Sequence, residues 1–259
     1  MSLTTAALDD QDAIAGCELY LRRVYNDGNG DPATNGEWAL IERCARQWQV
    51  VFDVGACVGD WSSRTLGVNP KAEVHCFEPF PPNVEALRKR VGQQAHILPV
   101  ALGSEAGEAV FHVPSQTGPG ENLGSLYPQG SGALVRLAVP MTTIADYCTD
   151  MEITQIDFLK IDAEGAEVSI LEGARPLLEA GRIAALQFEY GGTWVSARHF
   201  MKDIFDLVAG TDYTVAKLMP DGCRIVADYF YEIESFRQSN WLLIRGSSDD
   251  GAAYLGARR

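Results

Sequence analysis

An apolar run that ends in a glycine-containing turn, residues 50–60 with the sequence VVFDVGACVGD, constrains the fold more than any other stretch. β-Branched runs of this kind are typical of a buried parallel strand that turns sharply into a helix. Gly55 allows the backbone to turn tightly past the strand end, and Gly59 allows the following helix or a ligand to approach closely. The stretch therefore predicts a nucleotide-sized cradle, although an ordinary strand-turn-helix has a similar pattern.

A second apolar run, residues 74–77, ends in Glu78, twenty-five residues after Asp53. In a doubly wound sheet, a carboxylate at this place binds a ribose diol. A dinucleotide oxidoreductase would show Gly-x-Gly-x-x-Gly, whereas this turn has only Gly55 and Gly59. An acidic strand end favours a ligand with a cationic amino-acid end and no phosphate. The two runs together indicate S-adenosylmethionine rather than NAD.

The length and composition predict one α/β domain with a sizeable core, since 46% of the 259 residues are hydrophobic. We expect an N-terminal helical segment at 1–48, the domain at 49–245 and a C-terminal tail at 246–259. No apolar run is long enough to span a bilayer, which predicts a soluble, cytoplasmic protein without a membrane partner. The net charge of −14, from 35 acidic and 21 basic residues, would repel nucleic acid and argues against it as a partner.

Metal-binding motifs are weak in this sequence. Six cysteines occur without Cys-x-x-Cys spacing and without a histidine pair nearby, which favours reduced thiols over a zinc site or a disulfide framework. The loop NDGNGDP at residues 26–32 alternates acidic residues as a calcium loop does, but the expected distal glutamate and flanking helices are out of register. We therefore expect neither a zinc nor a calcium site.

The order of elements predicts a doubly wound, mostly parallel sheet of seven strands with an antiparallel last strand. Five strands alternate with helices, and two closing strands follow at residues 213–219 and 240–244. The third of the five is expected at residues 97–102, and a separate strand at 109–113 precedes residues 114–132, which are rich in Gly, Ser, Pro and Gln. A long aperiodic loop in a compact domain is commonly functional, so we expect a lid there.

The strand at residues 157–162, DFLKID, places charged side chains in a buried run. Alternation puts Lys160 and Asp162 on one side, near the carboxyl end of the strand. Buried charges are rare without a partner or a task. Lys160 therefore either forms a salt bridge that fixes the strand or takes part in catalysis.

Four motifs resemble those of the FkbM-type methyltransferases: VFDVGACVG at 51–59, FEP at 77–79, VALG at 100–103 and FLKIDAEGAE at 158–167. The last is the most specific, and the resemblance covers about residues 49–245. It implies a Rossmann-like class I methyltransferase fold with S-adenosylmethionine as cofactor. It also implies O-methylation of a hydroxyl on a sugar, a glycoside or a polyketide-type secondary metabolite. Cys57 departs from the motif, because the family usually has Asn there.

Transferred motif by motif, the resemblance implies cofactor contacts at neighbouring strand ends. Glu78 would bind the ribose hydroxyls, and Asp162 would lie near the cofactor amino group or the methyl-transfer centre. The implied cofactor-binding residues are Asp53, Gly55, Ala56 and Gly59 around the methionine end, Glu78 and Pro79 at the ribose, Ala101 and Leu102 near the adenine, and Asp162.

An aliphatic hydroxyl is a weak nucleophile, so a base or a metal must help it. Besides Glu164, the candidate catalytic residues are Asp162, Lys160, Glu189 and His199. Asp162 and Glu189 end neighbouring strands and could hold Mg²⁺ against the acceptor, because that ion prefers oxygen ligands. The alternative is that both carboxylates bind the cofactor amine and loop amides. His199 is either the base or a structural residue at the start of a helix.

The segment at residues 122–127, NLGSLY, is expected to contact the small-molecule acceptor. Two alternatives to an O-methyltransferase stay open: a non-catalytic cofactor-binding or partner protein on this fold, and a nucleotide-dependent oxidoreductase. The sequence identifies neither the acceptor nor the oligomeric state, for which a homodimer is one option, because specificity resides in loops.

Overall fold

The computed structural model describes residues 11–115, 117–120, 124–130 and 132–246. The helices are α1 (Gln11–Tyr25), α2 (Glu37–Cys44), α3 (Asp60–Val68), α4 (Pro81–Val91), α5 (Ile144–Asp150), α6 (Glu167–Gly173), α7 (Arg175–Glu179), α8 (Thr193–Ala197) and α9 (Met201–Leu207). The strands are β1 (Val50–Val54), β2 (Glu73–Phe77), β3 (Ala95–Leu98), β4 (Ala101–Leu102), β5 (Gly107–Pro114), β6 (Leu134–Thr142), β7 (Ile156–Ile161), β8 (Ile183–Tyr190), β9 (Tyr213–Met219), β10 (Gly222–Ile225) and β11 (Ser239–Arg245). Parts of the predicted lid and acceptor segment, and residues 247–259 of the predicted tail, lie outside the described residues.

Within the described residues, eight strands form the main sheet in the order β10-β9-β11-β8-β7-β1-β2-β3. Strands β8, β7, β1, β2 and β3 are mutually parallel, and β11 runs antiparallel between β8 and β9. The predicted α/β fold with a mostly parallel sheet and an antiparallel last strand is confirmed. The predicted number of seven strands is too low, because the four-residue β10 pairs with β9 in an edge hairpin whose sequence, GCRI, carries little strand pattern.

A smaller sheet has the order β4-β6-β5. The predicted strand at 97–102 is wrong as a single element, since β3 belongs to the main sheet and β4 to the smaller one. Pro99 lies between them, and a proline cannot donate a ladder hydrogen bond. The predicted strand at 109–113 is confirmed within β5. Its partner β6 was not predicted, because Arg136 and Pro140 interrupt its apolar pattern and much of it is exposed.

Two hydrophobic clusters cover the two faces of the main sheet. Alternation along β7 puts Leu159 and Ile161 in one cluster and Phe158 in the other. The first cluster contains side chains from α5, α6, α7 and α9, and the second contains side chains from α2, α3 and α4. Helices therefore pack on both faces of the sheet, which is the doubly wound arrangement.

Two helices begin after residues at which the backbone enters the left-handed region. Helix α6 begins at Glu167, after Glu164 (φ 52°) and Gly165 (φ 103°). Helix α9 begins at Met201, after Arg198 (φ 61°), which ends α8. Among the described residues, none of the helices combines the length and the hydrophobicity that crossing a membrane would need.

Candidate active site

Three adjacent parallel strands, β2, β1 and β7, end at one edge of the main sheet and bring Glu78, Gly55 and Asp162 there. Gly55 has φ of +72°, and a Cβ at this position would overlap the carbonyl oxygen of Asp162. Gly59 has φ of +85°, and a Cβ there would lie 2.6 Å from Leu87 Cδ1. Both glycines are therefore required sterically, the first by the neighbouring strand end and the second by the packing of α4.

The first cavity lies at these strand ends, and its empty volume of about 620 Å³ includes space open to solvent. The smaller sheet closes one side of it with Leu102 and Phe111. Among the expected cofactor-binding residues, those that line this cavity are Gly55, Glu78, Pro79, Ala101, Leu102 and Asp162.

Glu78 is a buried carboxylate held by backbone amides. Its Oε2 accepts a hydrogen bond from the Cys57 amide at 2.8 Å, and its Oε1 accepts one from the Phe80 amide at 2.8 Å. Burial raises the pKa of Glu78 to about 7, although the two amide hydrogen bonds favour the ionised form. Each oxygen has a further lone pair, so the fixed carboxylate can accept two more hydrogen bonds from a diol in the first cavity.

The second cavity meets the first at Gly55, Cys57, Asp162 and Glu164, which line both. Its empty volume is about 1,170 Å³, which includes space open to solvent. The described lining combines one cation, Lys160, with five carboxylates, those of Glu37, Asp60, Asp162, Glu164 and Glu189. Carboxylates accept hydrogen bonds and attract cations, so this cavity favours ligands that carry hydroxyl or cationic groups.

Lys160 is buried between two carboxylates. Its Nζ lies 3.2 Å from Asp162 Oδ2 and 3.6 Å from Asp53 Oδ1. Burial alone would lower the pKa of Lys160, but Asp162 and Asp53 outweigh it and hold the pKa above its ordinary value. Lys160 is therefore a cation at neutral pH and cannot accept a proton. It positions Asp162, in agreement with the salt-bridge alternative.

The acidic trio, which we define as Asp162, Glu164 and Glu189, gathers three carboxylates at the junction of the cavities. One oxygen from each lies within 4.8 Å of the others. Burial, followed by the negative charge of Asp162, raises the pKa of Glu164 to about 8 and holds the pKa of Glu189 well above its usual range. Glu189 Oε1 also accepts a hydrogen bond from Gln238 Nε2 at 2.5 Å. The trio can hold protons near neutral pH, and its oxygen atoms also suit a hard cation.

The loop between β7 and α6 is held by Glu167, a buried side chain that sequence reasoning did not assign to the site. Its two carboxylate oxygens accept hydrogen bonds from the amides of Ala163, at 2.8 Å, and Gly165, at 2.9 Å. On the other side of the loop, Ser125 Oγ donates to the carbonyl oxygen of Glu164 at 2.6 Å. These contacts keep Glu164 in its left-handed conformation at the junction. Strained residues of this kind are typical of functional sites.

Three of the sequence candidates line neither cavity. Asp53 is fully buried, and its Oδ2 accepts a hydrogen bond from Ser62 Oγ at 2.6 Å, so it supports Lys160 from below the cavities. Gly59 packs against α4. His199 lies beyond the strand ends, with Nδ1 3.5 Å from Asp203 Oδ2. Ala56, by contrast, lines the second cavity.

Glu37, near the start of α2, contributes a further carboxylate to the second cavity. The Asn35 side chain accepts a hydrogen bond from the Glu37 amide, at 3.0 Å. In addition, the Glu37 carboxylate lines the second cavity and accepts hydrogen bonds from Asn35, Asn240 and Gln187 at 2.8, 3.1 and 2.9 Å. Gln187 and Asn240 were missed, because only the pairing of β8 with β11 brings them together.

The model of the methyltransferase FkbM domain matches residues 53–215 of this chain. The chain belongs to the FkbM methyltransferase family. The matched span of this FkbM chain contains Gly55, Glu78 and Asp162, and the family implies S-adenosylmethionine as the methyl donor. The expected methyltransferase class is confirmed by this membership, which does not support the alternative of a nucleotide-dependent oxidoreductase.

Over an alignment of 152 positions, this FkbM chain is 26% identical to the 2-O-methyltransferase NoeI of Sinorhizobium fredii, and the alignment covers 54% of this chain and 63% of NoeI. Among solved structures, the fibrillarin pre-rRNA processing protein of Methanococcus jannaschii matches with a TM-score of 0.47 and 12% identity, over 84% of this chain and 77% of that one. The precorrin-6y C5,15-methyltransferase of Geobacter metallireducens matches with a TM-score of 0.41 and 12% identity, over 81% of this chain and 88% of that one. Both scores are low, so these two likenesses support no inference about activity or substrate.

Proposed function

We propose that the protein is an S-adenosylmethionine-dependent O-methyltransferase that methylates a hydroxyl of a small molecule. The observation that carries this proposal is the junction of two chemically different cavities at Gly55, Cys57, Asp162 and Glu164. A methyl donor in the first cavity and an acceptor in the second would meet there. The similarity to NoeI, whose name describes a 2-O-methyltransferase, supports oxygen as the accepting atom.

The chain's own residues account for cofactor binding. Glu78 would accept hydrogen bonds from the ribose hydroxyls, and the apolar walls formed by Ala101 and Leu102 would contact the adenine. Asp162 would bind the cationic amino group, with Lys160 fixing its carboxylate. Bound S-adenosylmethionine would supply an activated methyl group for an in-line displacement. The protein's part is alignment, exclusion of water and removal of the hydroxyl proton.

The acceptor class we propose is a polyhydroxylated molecule, such as a sugar, a glycoside or a polyketide-type metabolite. The support is the carboxylate-rich lining of the second cavity, because carboxylates accept hydrogen bonds from hydroxyl groups. Trp38 adds an aromatic side chain to the same lining. Aromatic faces of this kind pack against the C–H edges of sugar rings.

Glu164 is the proton acceptor we propose. It lines both cavities, and its pKa of about 8 lies close to neutral pH, where a general base works best. In this step the acceptor oxygen would take the methyl group from the donor sulfur, which would leave as the neutral thioether S-adenosylhomocysteine, and the hydroxyl proton would move to the Glu164 carboxylate. Burial and the charge of Asp162 hold the pKa of Glu189 well above its usual range, so in its protonated form Glu189 would donate a hydrogen bond to the acceptor oxygen.

The competing role for the acidic trio is to bind Mg²⁺ through Asp162 and Glu189. The distances between the three carboxylates fit either role. Turnover by metal-stripped protein in the presence of a chelator would favour the proton-acceptor role. Loss of turnover that added Mg²⁺ restores would favour the metal.

The first experiment is calorimetric titration with S-adenosylmethionine and S-adenosylhomocysteine, with NAD as the control ligand. We expect micromolar binding of both sulfur compounds and none of NAD. A panel of glycosides and polyketide alcohols would then be screened by mass spectrometry for a gain of one methyl group. Absence of binding by both sulfur compounds would contradict the proposal and favour the non-catalytic partner protein.

A further inference from the structure

A second cluster of ligand-type side chains lies away from the cavities, on β2 and β3. His75 and His96 are direct neighbours in the parallel pairing of these two strands. Glu73 precedes His75 by two residues and therefore lies on the same face of the sheet. The three ligand atoms, one from each side chain, lie within 4.8 Å of one another. The sequence alone did not indicate this cluster, because the two histidines are distant in the chain.

The distances in this cluster suit a tetrahedral ion. Glu73 Oε1 lies 3.3 Å from His75 Nε2 and 3.4 Å from His96 Nε2. Two ligands bound to zinc at about 2.05 Å with tetrahedral angles are separated by about 3.3 Å. The rings of His75 and His96 are stacked, with centroids 4.6 Å apart and planes 12° apart. The nitrogen lone pairs of stacked rings run nearly parallel, so the exposed His96 ring must turn about its side-chain bonds to share an ion with His75.

His75 provides the second observation that points to a ligand. Its side chain is fully buried, and its Nε2 has no hydrogen-bond partner among the described residues. Its Nδ1 lies 2.8 Å from the Tyr147 hydroxyl oxygen. When Nδ1–H donates to that oxygen, Nε2 keeps its lone pair and faces the Glu73 carboxylate. A hydrogen bond from the other ring nitrogen is the usual way in which proteins orient a histidine for metal binding.

We propose that Glu73, His75 and His96 bind a divalent transition-metal ion of the zinc type. Two imidazoles and one carboxylate form a ligand set that zinc uses, with the fourth position open to water. The side chains of Glu73 and His96 are 51% and 52% exposed, so an ion can enter from solvent.

The ion would join β2 to the edge strand β3. Glu73 and His75 precede Glu78 by five and three residues, so their backbone positions lie about 16 and 10 Å along the strand from that of Glu78. We therefore expect the metal to stabilise the sheet edge without touching the cofactor cavity. The site does not depend on the proposed methyltransferase function.

The test is titration of tag-free, metal-stripped protein with Zn²⁺ by calorimetry, and with Co²⁺ by visible absorption. We expect one tightly bound ion per chain, a tetrahedral Co²⁺ spectrum, and a Tm higher by about 5 °C or more at hundredfold excess of Zn²⁺ over Kd. His96→Ala and Glu73→Gln change exposed side chains, so both should fold. Each should weaken Zn²⁺ binding by at least about 100-fold, which is the upper range for loss of an outer-shell partner.

Glu85→Gln, at an exposed position on α4, is the matched control and should bind Zn²⁺ as the wild type does. Absence of stoichiometric Zn²⁺ binding by the wild type would overturn the proposal. Binding that His96→Ala and Glu73→Gln leave unchanged would also overturn it, and would place the ion elsewhere, for example at the acidic trio. S-Adenosylhomocysteine binding by the two variants shows that the fold is intact.

Discussion

The two cavities differ in how their polar groups are held. In the first, the Glu78 carboxylate is fixed by the backbone amides of Cys57 and Phe80, and the other walls combine strand ends with apolar side chains such as Leu126 and Ile170. In the second, polar side chains hold one another, as Glu37 does with Gln187 and Asn240. The cofactor side therefore depends on strand order and backbone turns, whereas the acceptor side depends on side chains from distant parts of the chain. Substitutions should affect the two sides differently.

The largest effect is expected from Gly55→Ala. The new methyl group would overlap the Asp162 carbonyl oxygen, and a left-handed φ is costly for alanine, so we expect a loss of about 4 kcal/mol or more in the free energy of unfolding. Chemical denaturation measures it. The matched control is Gly67→Ala in α3, where a Cβ meets nothing within 4 Å, and which should be neutral or slightly stabilising. Equal effects of the two substitutions would show that the strand-end contact is unimportant.

Asp162→Ala tests the junction that both cavities share. It removes a carboxylate that lines both cavities and leaves Lys160 with Asp53 alone, so we expect turnover to fall by about 1,000-fold or more. Methyl transfer by purified protein is the measurement, with far-ultraviolet circular dichroism as the check on folding. Asp150→Ala, at the exposed end of α5, is the control. Near-normal turnover of Asp162→Ala would remove this residue from the active site.

Glu78→Gln tests the first cavity alone. Loss of a charged acceptor should weaken S-adenosylmethionine binding by about 10- to 100-fold. Because the pKa of Glu78 is raised to about 7, the wild-type carboxylate is ionised above pH 7 and protonated below it. A protonated carboxyl group accepts fewer hydrogen bonds from the ribose hydroxyls. The affinity of the wild type for S-adenosylmethionine should therefore fall as the pH drops from about 8 to 6. Calorimetry across this range should show a flat profile for Glu78→Gln, and an equally steep profile would assign the titration to another group.

The same difference between the cavities explains what the sequence could predict. The run at residues 50–60, Glu78 and the KIDAEGAE segment are local patterns, and the strand order places them side by side. Gly55 and Asp162 could therefore be paired in advance, since parallel strands end at the same edge. The α/β class and the antiparallel last strand follow from the same patterns.

The acceptor side could not be predicted in this way. Gln187 and Asn240 are ordinary strand residues until the β8–β11 register brings them to Glu37. Strand β6 has a weak apolar pattern, so the smaller sheet that closes the first cavity was missed. His199 was a candidate because it follows a strand end in the sequence. The left-handed backbone at Arg198 ends α8 just before His199, and His199 lines neither cavity. Side chains that meet only through register or loop breaks leave no short-range signal.

Glu37→Gln should have the smallest effect and should act only on the second cavity. The glutamine side chain would replace one carboxylate oxygen of Glu37 with an NH₂ group. This NH₂ group would face an amide donor from Asn35, Gln187 or Asn240, so one hydrogen bond would be lost. We expect the KM for the acceptor to rise by about 3- to 10-fold, with S-adenosylmethionine affinity unchanged. Steady-state kinetics and calorimetry separate the two quantities, and Glu85→Gln again serves as the exposed control. If cofactor affinity fell as much as acceptor affinity, the two cavities would act as one site, and the division between a backbone-built and a side-chain-built half would be wrong.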